Sequence, residues 1–155
     1  MLLHYRDKKL IAAMHLWQAN RDRPGLVAKV QRVRAKLRYI FWTLAAACDI
    51  HIDAEIDESV SLPHPMGVVI APGVKIGKGC MIMQQVTLGQ TAKPGVPEVC
   101  EGAYIGSGAR VLGAVRVGRN ARVGANAVVM QDVPDDTTVV GIPARPVKRR
   151  EAADD

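Results

Sequence analysis

Residues 70–89 read IAPGVKIGKGCMIMQQVTLG, and this stretch repeats itself every six residues. Its leading aliphatic positions are Ile70, Ile76, Ile82 and Leu88. The same spacing continues in both directions, through Ile50, Ile56 and Leu62 upstream and through Val99, Ile105, Val111, Val117, Val123 and Val129 downstream. The fifth position of nearly every hexad is also apolar and usually small. Such regular self-similarity is typical of a solenoid, in which each repeat packs against its neighbours.

A period of six fits neither an α-helix nor a β-sandwich. It fits a short strand followed by a turn, with the leading aliphatic residue facing inward and Gly at turn positions where φ is positive. Stacked units of this kind form a parallel β-helix that buries its aliphatic side chains between successive rungs. We therefore predict a mainly β protein whose parallel β-helix of hexapeptide repeats spans residues 49–134.

Two interruptions break the period. Two residues are inserted after the segment LPHPMG at 62–67, and about nine between Leu88-Gly89 and Val99. Because insertions in a solenoid form surface loops, often on the binding face, we expect the functional residues there. His64 lies at the first interruption, between two prolines that restrict its backbone. A neutral imidazole is a natural general base for an alcohol or an amine.

Residues 1–48 are predicted to form a separate helical segment. Leu26, Val30, Val33 and Leu37 recur at spacings of three and four, which indicates one apolar helix face. The net charge of +6 is concentrated here, because residues 1–50 carry ten Lys or Arg against three Asp or Glu. We expect the apolar face, through Val30, Val33, Leu37 and Phe41, to dock on the β-helix or on a neighbouring subunit. A weak contact with an anionic membrane surface is the alternative, and no nucleic-acid-binding motif accompanies the charge.

The remaining features indicate a cytoplasmic protein. Three cysteines, Cys48, Cys80 and Cys100, form no CxxC pair, and no signal peptide is visible. Cys80 occupies an inward repeat position and is expected to be a packed thiol. His4 and His15 are expected at the surface of the helical segment, and His51 at a solvent-facing hexad position. Residues 135–155 are predicted to form an irregular cap and tail, because three prolines stop the coils.

The hexads, the segment QVTLGQTAK at 85–93 and the ending VVGIPAR at 139–145 together resemble the hexapeptide-repeat acyltransferases. Within that class the chain is most similar to the serine acetyltransferase branch. Asp49-Ile50-His51, followed by His64 fifteen residues after Asp49, matches that branch in residue type and spacing. The resemblance covers roughly residues 48–147.

This resemblance implies a left-handed parallel β-helix, a homotrimer, and acetyl-CoA as co-substrate in a groove between neighbouring β-helices, with no metal. It implies His64 as general base and Asp49 as the carboxylate that orients it, with direct transfer in a ternary complex. The residues that it places against acetyl-CoA are Gly89, Thr91, Lys93, Ser107, Arg122 and Arg145.

The chain also departs from that branch. Val96 stands where serine acetyltransferases carry a second active-site His, Pro63 where they carry Asp, and the loop is about three residues shorter. The Pro-His-Pro sequence around His64 resembles the acetyltransferases of surface-polysaccharide pathways, which acetylate sugar hydroxyls. We therefore predict an O-acetyltransferase with a sugar hydroxyl as acceptor. The alternatives are serine, as in cysteine biosynthesis, and other hydroxyls or amines.

Proteins with other functions share such coils. A γ-type carbonic anhydrase needs three His around zinc, whereas the repeat supplies only His51 and His64. A nucleotidyltransferase would need a Gly-rich nucleotide-binding domain, for which the 48 residues that precede the repeat are too few. A non-catalytic trimeric scaffold stays open, since it would keep the coils without using His64.

Overall fold

The computed structural model describes residues 6–147, so the predictions for His4 and for the tail at 148–155 lie outside the described residues. Two helices come first, α1 (Arg6–Gln18) and α2 (Leu26–Ala46). Fourteen short strands follow: β1 (Asp49–Ile50), β2 (Glu55–Ile56), β3 (Val69–Ile70), β4 (Lys75–Ile76), β5 (Met81–Ile82), β6 (Thr87–Gly89), β7 (Glu98–Val99), β8 (Tyr104–Ile105), β9 (Arg110–Leu112), β10 (Arg116–Val117), β11 (Arg122–Val123), β12 (Val128–Val129), β13 (Thr138–Val140) and β14 (Arg145–Pro146).

The strands wind into a solenoid of about five turns with three sheets. Sheet A contains β1, β3, β6, β9 and β12, sheet B contains β2, β4, β7 and β10, and sheet C contains β5, β8, β11, β13 and β14. Neighbouring strands are parallel except for β13 and β14, which are antiparallel. Ile70 pairs with Leu88, eighteen residues later, so three hexads complete one turn. The predicted β-helix is thus confirmed.

The hexad pattern works because each strand alternates between solvent and core. In a typical strand the residue before the leading aliphatic is exposed and the leading aliphatic is buried. Ile70, Ile82, Leu88 and Ile105 are at most 1% exposed. Cys80 is buried as predicted, and its thiol donates to the Cys100 carbonyl at 3.0 Å.

The strand register measures each interruption of the period. Ile50 pairs with Ile70, twenty residues later, which confirms the two-residue insertion around His64. Ile76 pairs with Val99, twenty-three residues later, so the second insertion adds five residues rather than about nine. The other residues of that segment continue the coil. Val123 pairs with Val139 after only sixteen residues, and this shortened last turn explains why the pattern fades beyond Val133.

Helix α1 closes the first turn of the solenoid. Leu10, Ile11 and Met14 join the hydrophobic core. Polar side chains of α1 and α2 form hydrogen bonds with the backbone of every second residue from 50 to 62. Tyr39, Gln18, His15 and Lys8 donate to backbone carbonyls: Tyr39 to Ile50, Gln18 to Ile52 and Ala54, His15 to Ile56, and Lys8 to Glu58 and Val60. The Asp7 carboxylate accepts from the Leu62 amide. These bonds satisfy backbone polar groups of the first rung, which has no neighbouring rung on that side.

His15, which was expected at the surface of the helical segment, also forms a hydrogen bond to the solenoid. Its ring is half-buried, and Nε2 lies 2.6 Å from the Ile56 carbonyl oxygen. Because a carbonyl can only accept, Nε2 carries the proton and donates.

Helix α2 does not dock through the face that the sequence indicated. Val30, Val33, Leu37 and Phe41 are 48%, 54%, 63% and 60% exposed. The face turned toward the protein carries the buried small residues Ala28, Ala35 and Ala46, together with Tyr39 and Trp42, which pack against the core. Small side chains allow α2 to lie close to α1, and the predicted apolar face is left on the outside. The predicted docking of this apolar face on the chain's own β-helix is therefore wrong, while its docking on a neighbouring subunit stays a prediction.

Within residues 6–147, neither helix combines the length and the apolar composition that crossing a bilayer requires.

Candidate active site

The turns that lead from sheet C to sheet A stack along one edge of the solenoid, which we call the histidine edge: residues 63–68, 83–86, 106–109 and 124–127. Backbone hydrogen bonds join the stacked turns: Gln85 N–H to Met66 O at 3.0 Å, Gly108 N–H to Gln84 O at 2.9 Å, and Asn126 N–H to Ser107 O at 2.8 Å. His64 is exposed in the first turn and Ser107 is half-buried in the third. At the usual strand spacing, the first and the third of these turns lie about 10 Å apart.

Asp49 lies at the same end of this edge as His64. Its amide donates to the Val68 carbonyl at 2.8 Å, and the Gly67 amide donates to the Ala47 carbonyl at 2.8 Å. The segment that enters β1 therefore runs beside the segment that leaves the His64 turn. The Asp49 side chain is exposed in the outward row of sheet A. The segments that carry the two candidate catalytic residues thus run side by side, although fourteen residues separate Asp49 and His64 in the sequence.

Helix α1 stabilises the turn that contains His64. The Asp7 carboxylate, only 6% exposed, accepts a hydrogen bond from the Leu62 amide at 3.1 Å. Leu62 is itself buried, and Pro63 and Pro65 restrict the backbone on both sides of His64. His64 is therefore held on a short rigid turn rather than on a free loop.

Gln84 also lies on this edge and was not predicted as a site residue. Its Oε1 atom is buried and has no hydrogen-bond partner among the described residues. A buried acceptor without a partner is costly, so it marks a place where a ligand or another chain could donate. Gln84 and Ser107 each follow a leading aliphatic residue by two positions, so the hexad register could have found it.

Close packing fixes the backbone beside Ser107. A Cβ atom on Gly106 would come within 2.7 Å of the Ala125 amide nitrogen, so only glycine fits there. The absence of a side chain on Gly106 lets the turns stack directly, and the Ser107 carbonyl accepts a hydrogen bond from the Asn126 amide of the next turn.

Gly89, Thr91 and Lys93 belong to a different edge, between sheets A and B, which we call the loop edge: the insertion 90–97 together with the stacked turns 51–54, 71–74, 113–115 and 130–132. The Gly113 amide donates to the Gly89 carbonyl at 2.9 Å. The Lys93 amide donates to Thr91 Oγ1 at 3.2 Å, which shapes the start of the loop. The Thr91 and Lys93 side chains are exposed.

The end of this loop folds back onto the next turn. A Cβ atom at Gly95 would lie 2.5 Å from the Ala114 Cβ, and the φ of Gly95 is +117°. Val96 is half-buried and packs against the core. It stands where the serine acetyltransferases that the sequence resembles carry a second active-site His. Its Cγ2 would lie 3.8 Å from a Cβ on Gly73. Position 96 therefore contributes packing and no proton-transfer group.

The two candidate arginines lie on sheet C: Arg122 precedes the turn 124–127 of the histidine edge, and Arg145 Nη1 donates to Gln131 Oε1, in a turn of the loop edge, at 3.5 Å. Arg122, on β11, places its guanidinium 4.6 Å from the Tyr104 ring centroid and lines a cavity of about 490 Å³ with Asn120, Thr137 and Thr138. Arg145, on β14, donates from Nη1 to the Ala144 carbonyl at 3.2 Å. Both are exposed and could bind phosphate groups. The single chain thus does not gather all eight predicted residues into one cavity.

A larger cavity of about 870 Å³ lies over sheet B and contains none of the predicted site residues. The outward-facing residues that pair across the strands of sheet B alternate in charge: Glu55, Lys75, Glu98 and Arg116. Opposite charges on neighbouring strands stabilise a sheet modestly, so this row has a structural explanation. Within residues 6–147, no three His, Cys, Asp or Glu side chains are grouped so that they could hold a metal ion.

Comparisons with known proteins agree with this architecture. Residues 97–131 match the family described as bacterial transferase hexapeptide (six repeats). A serine acetyltransferase of Synechococcus elongatus is 42% identical over 109 residues, which are 68% of this chain and 45% of that protein. The Brucella abortus serine acetyltransferase structure in complex with coenzyme A has a TM-score of 0.76 at 27% identity, covering 91% of this chain and 54% of that one. Soybean serine acetyltransferase complexed with serine has a TM-score of 0.71 at 37% identity, covering 87% and 53%.

The fold and the matched repeats define a left-handed β-helix protein of the hexapeptide-repeat class, as the sequence predicted. Within this class, the chain is similar to serine acetyltransferases in both sequence and fold. The chain spans about half the length of the relatives that it matches. These relatives favour serine, the alternative acceptor of the sequence analysis, over the sugar hydroxyl that it placed first.

Proposed function

We propose that this protein is an acetyl-CoA-dependent O-acetyltransferase with serine as its acceptor. The observation that carries the proposal is the position of His64, on a rigid turn at one end of the histidine edge with Asp49 beside that turn. Coenzyme A and serine are named in the solved complexes of similar proteins, which supports both substrates.

The proposed reaction needs one proton transfer in each direction. His64 accepts the proton of the serine hydroxyl while the oxygen attacks the thioester carbonyl. The C–S bond then breaks, coenzyme A leaves as a thiol after receiving that proton, and the acetyl ester of serine is released. Asp49 orients the imidazole. Because the thioester is already activated, no acyl-enzyme is required, and the positioned base contributes about 10²–10⁴-fold.

A homotrimer would complete this site. Ser107 lies on the histidine edge, whereas Gly89, Thr91 and Lys93 lie on the loop edge, with sheet A between them. Packing the histidine edge of one chain against the loop edge of its neighbour would bring both groups to one acetyl-CoA. Three such contacts close into a ring. Sedimentation velocity at micromolar concentration should give a trimer, and a monomer would contradict a site shared between chains.

A sugar hydroxyl is the second candidate acceptor, and position 96 favours it. Val96 packs against the core, and Pro63 stands where serine acetyltransferases carry Asp. The second His and the Asp of those enzymes are therefore both absent. A site that pairs the charges of an amino acid loses much of its discrimination when such groups are removed.

An acceptor screen separates these candidates. Purified protein is incubated with acetyl-CoA and either serine or a panel of nucleotide sugars, and thiol release is followed. Release with serine supports the proposal, and release with a sugar alone selects the second candidate. No release with any acceptor, together with thermal stabilisation by coenzyme A, would contradict acetyl transfer to either.

One variant tests the role of position 96 within the same screen. Val96→His should raise the rate with serine if the missing imidazole limits that acceptor. Ala92→His is the matched control, because it adds an imidazole to an exposed position of the same loop. An equal response of both variants would show that position 96 does not select the acceptor.

A further inference from the structure

Helix α2 exposes a continuous apolar surface, which we call the α2 stripe. Its members follow helical spacing along the whole helix: Leu26, Val30, Val33, Leu37, Ile40, Phe41 and Leu44. They are 45–76% exposed, so this surface is open in the chain. Isolated exposed apolar residues are ordinary, but a contiguous row of seven large ones marks an interaction surface.

The α2 stripe points away from the rest of the protein. At 3.6 residues per turn, it lies opposite the face that contains Ala28, Ala35 and Ala46, which are buried. Tyr39, on the inner side, donates its hydroxyl to the Ile50 carbonyl at 2.7 Å and so fixes the rotation of the helix. The stripe is therefore the outermost part of this region.

Basic side chains line both long sides of the stripe. Lys29 and Lys36 project from one side, and Arg34 and Arg38 from the other, all of them exposed. Arg32 belongs to neither row, because its guanidinium donates hydrogen bonds to the carbonyls of Asn20, Arg21 and Arg23. Residues 26–46 contain no Asp or Glu. The helix surface is thus an apolar strip between two rows of positive charge.

We propose that α2 lies in the plane of a membrane surface that contains anionic lipids. The apolar strip would enter the boundary between headgroups and acyl chains, as in-plane amphipathic helices do. The Lys and Arg side chains on its two sides would extend to the headgroup phosphates. This explains why the apolar residues face outward and why acidic residues are missing from the helix.

The same charges disfavour a second copy as the occupant of this surface. Two α2 stripes packed together would bring the basic rows of both helices against each other, and like charges at such flanking positions are repulsive. The rows find no acidic complement on α2 itself. An anionic lipid surface supplies that complement along the whole length of the helix.

Vesicle co-sedimentation tests this proposal with the full chain. Protein is mixed with vesicles of phosphatidylglycerol and phosphatidylcholine in equal parts, or of phosphatidylcholine alone. We expect binding to the mixed vesicles, weak binding to the neutral ones, and a loss of binding as the ionic strength rises. Absence of binding to the mixed vesicles at low salt would overturn the proposal.

Variants locate the contact. Leu37→Gln/Phe41→Gln should lower the partition into mixed vesicles at least ~10-fold, because two large apolar side chains no longer enter the interface. Arg34→Gln/Arg38→Gln should lower it about 25-fold, since each basic side chain near an anionic surface contributes about fivefold. Lys75→Gln/Lys78→Gln is the matched control, with the same loss of charge on exposed residues of another surface, and should bind like the wild type.

Two outcomes would assign the stripe differently. If the control lowers binding as much as Arg34→Gln/Arg38→Gln, the charge of the whole protein is responsible and the proposal fails. If Leu37→Gln/Phe41→Gln leaves vesicle binding unchanged but alters the sedimentation coefficient, a second copy covers the stripe and the proposal fails. Circular dichroism of each variant verifies that α2 is intact.

Discussion

The Asp7 carboxylate accepts a hydrogen bond from the Leu62 amide at 3.1 Å, across fifty-five residues of sequence. Leu62 stands two residues before His64, so the first turn of α1 supports the turn that presents the proposed base. The helical segment is therefore part of the construction of the candidate site as well as a cap on the solenoid.

Asp7→Ala should destabilise the protein and weaken the site together. The Leu62 amide would lose its acceptor while staying buried, which costs about 1–3 kcal/mol. Urea unfolding should show the loss of stability, and kcat should fall because the His64 turn is less well held. Asp22→Ala is the control, since the Asp22 side chain is 88% exposed. Equal stability of the two variants would show that the bond to Leu62 contributes nothing.

Removing the N-terminal helices should leave the solenoid open. Deletion of residues 1–45 would uncover Leu62 and Val60 and free the carbonyls that Gln18, His15 and Lys8 now bond. An unpaired rung is a template for association, so we expect aggregation by size-exclusion chromatography with light scattering. A monodisperse and fully active truncated protein would instead make the helices an independent arm.

Gly95→Ala should disturb the loop edge. Its new Cβ would lie 2.5 Å from the Ala114 Cβ, so the loop must move. We expect a raised KM for acetyl-CoA, because Thr91 and Lys93 are carried by the same loop. Gly25→Ala provides a control with similar backbone strain, since φ is +101° at Gly25 and nothing lies within 4 Å of the added atom. A KM unchanged in both variants would remove this loop from the acetyl-CoA site.

The Cys48 thiol should be unreactive at neutral pH. Burial, and to a lesser extent the neighbouring Asp49 carboxylate, raise the pKa of Cys48 from its ordinary value of 9.0 to about 11. Only the thiolate is alkylated, so labelling by iodoacetamide should stay slow at pH 8 and accelerate toward pH 11. Mass spectrometry of the Cys48 peptide measures this. Labelling at pH 8 as fast as that of a free thiol would show that Cys48 is not buried.

The same pKa shift has a consequence for stability. Folding favours the neutral thiol, so its contribution is intact below pH 9.0 and declines as the pH rises from 9.0 toward about 11. Cys48→Ala should therefore lessen the alkaline loss of stability in urea unfolding. An identical alkaline loss in the variant would assign that loss to other groups.

The β-helix could be predicted from the sequence because its signal is local and periodic. Each leading aliphatic residue, such as Ile76 or Val123, is buried by its own strand and the strands stacked on it, whatever the rest of the chain does. His64 and Asp49 could be found because the resemblance covers both. The insertion at 90–97 could be located, but its true size needed the strand register.

The capping role of α1 could not be predicted in the same way. The bonds from His15 to Ile56 and from Gln18 to Ala54 cross 41 and 36 residues and leave no periodic pattern. Amphipathic spacing revealed an apolar face on α2, but spacing alone does not show whether such a face is turned inward. The small residues Ala28 and Ala35 decided the orientation, and a hydrophobic pattern gives them little weight.

The most direct test of the proposed chemistry is the turnover of His64→Ala, followed as acetyl-CoA-dependent thiol release with the acceptor that the screen identifies. His51→Ala is the control, because His51 is exposed on the same turn of the solenoid but at the loop edge. We predict a fall in kcat of at least ~10²-fold for His64→Ala, with coenzyme A binding nearly unchanged and His51→Ala close to wild type. Near-normal turnover by His64→Ala would contradict the assignment of His64 as general base.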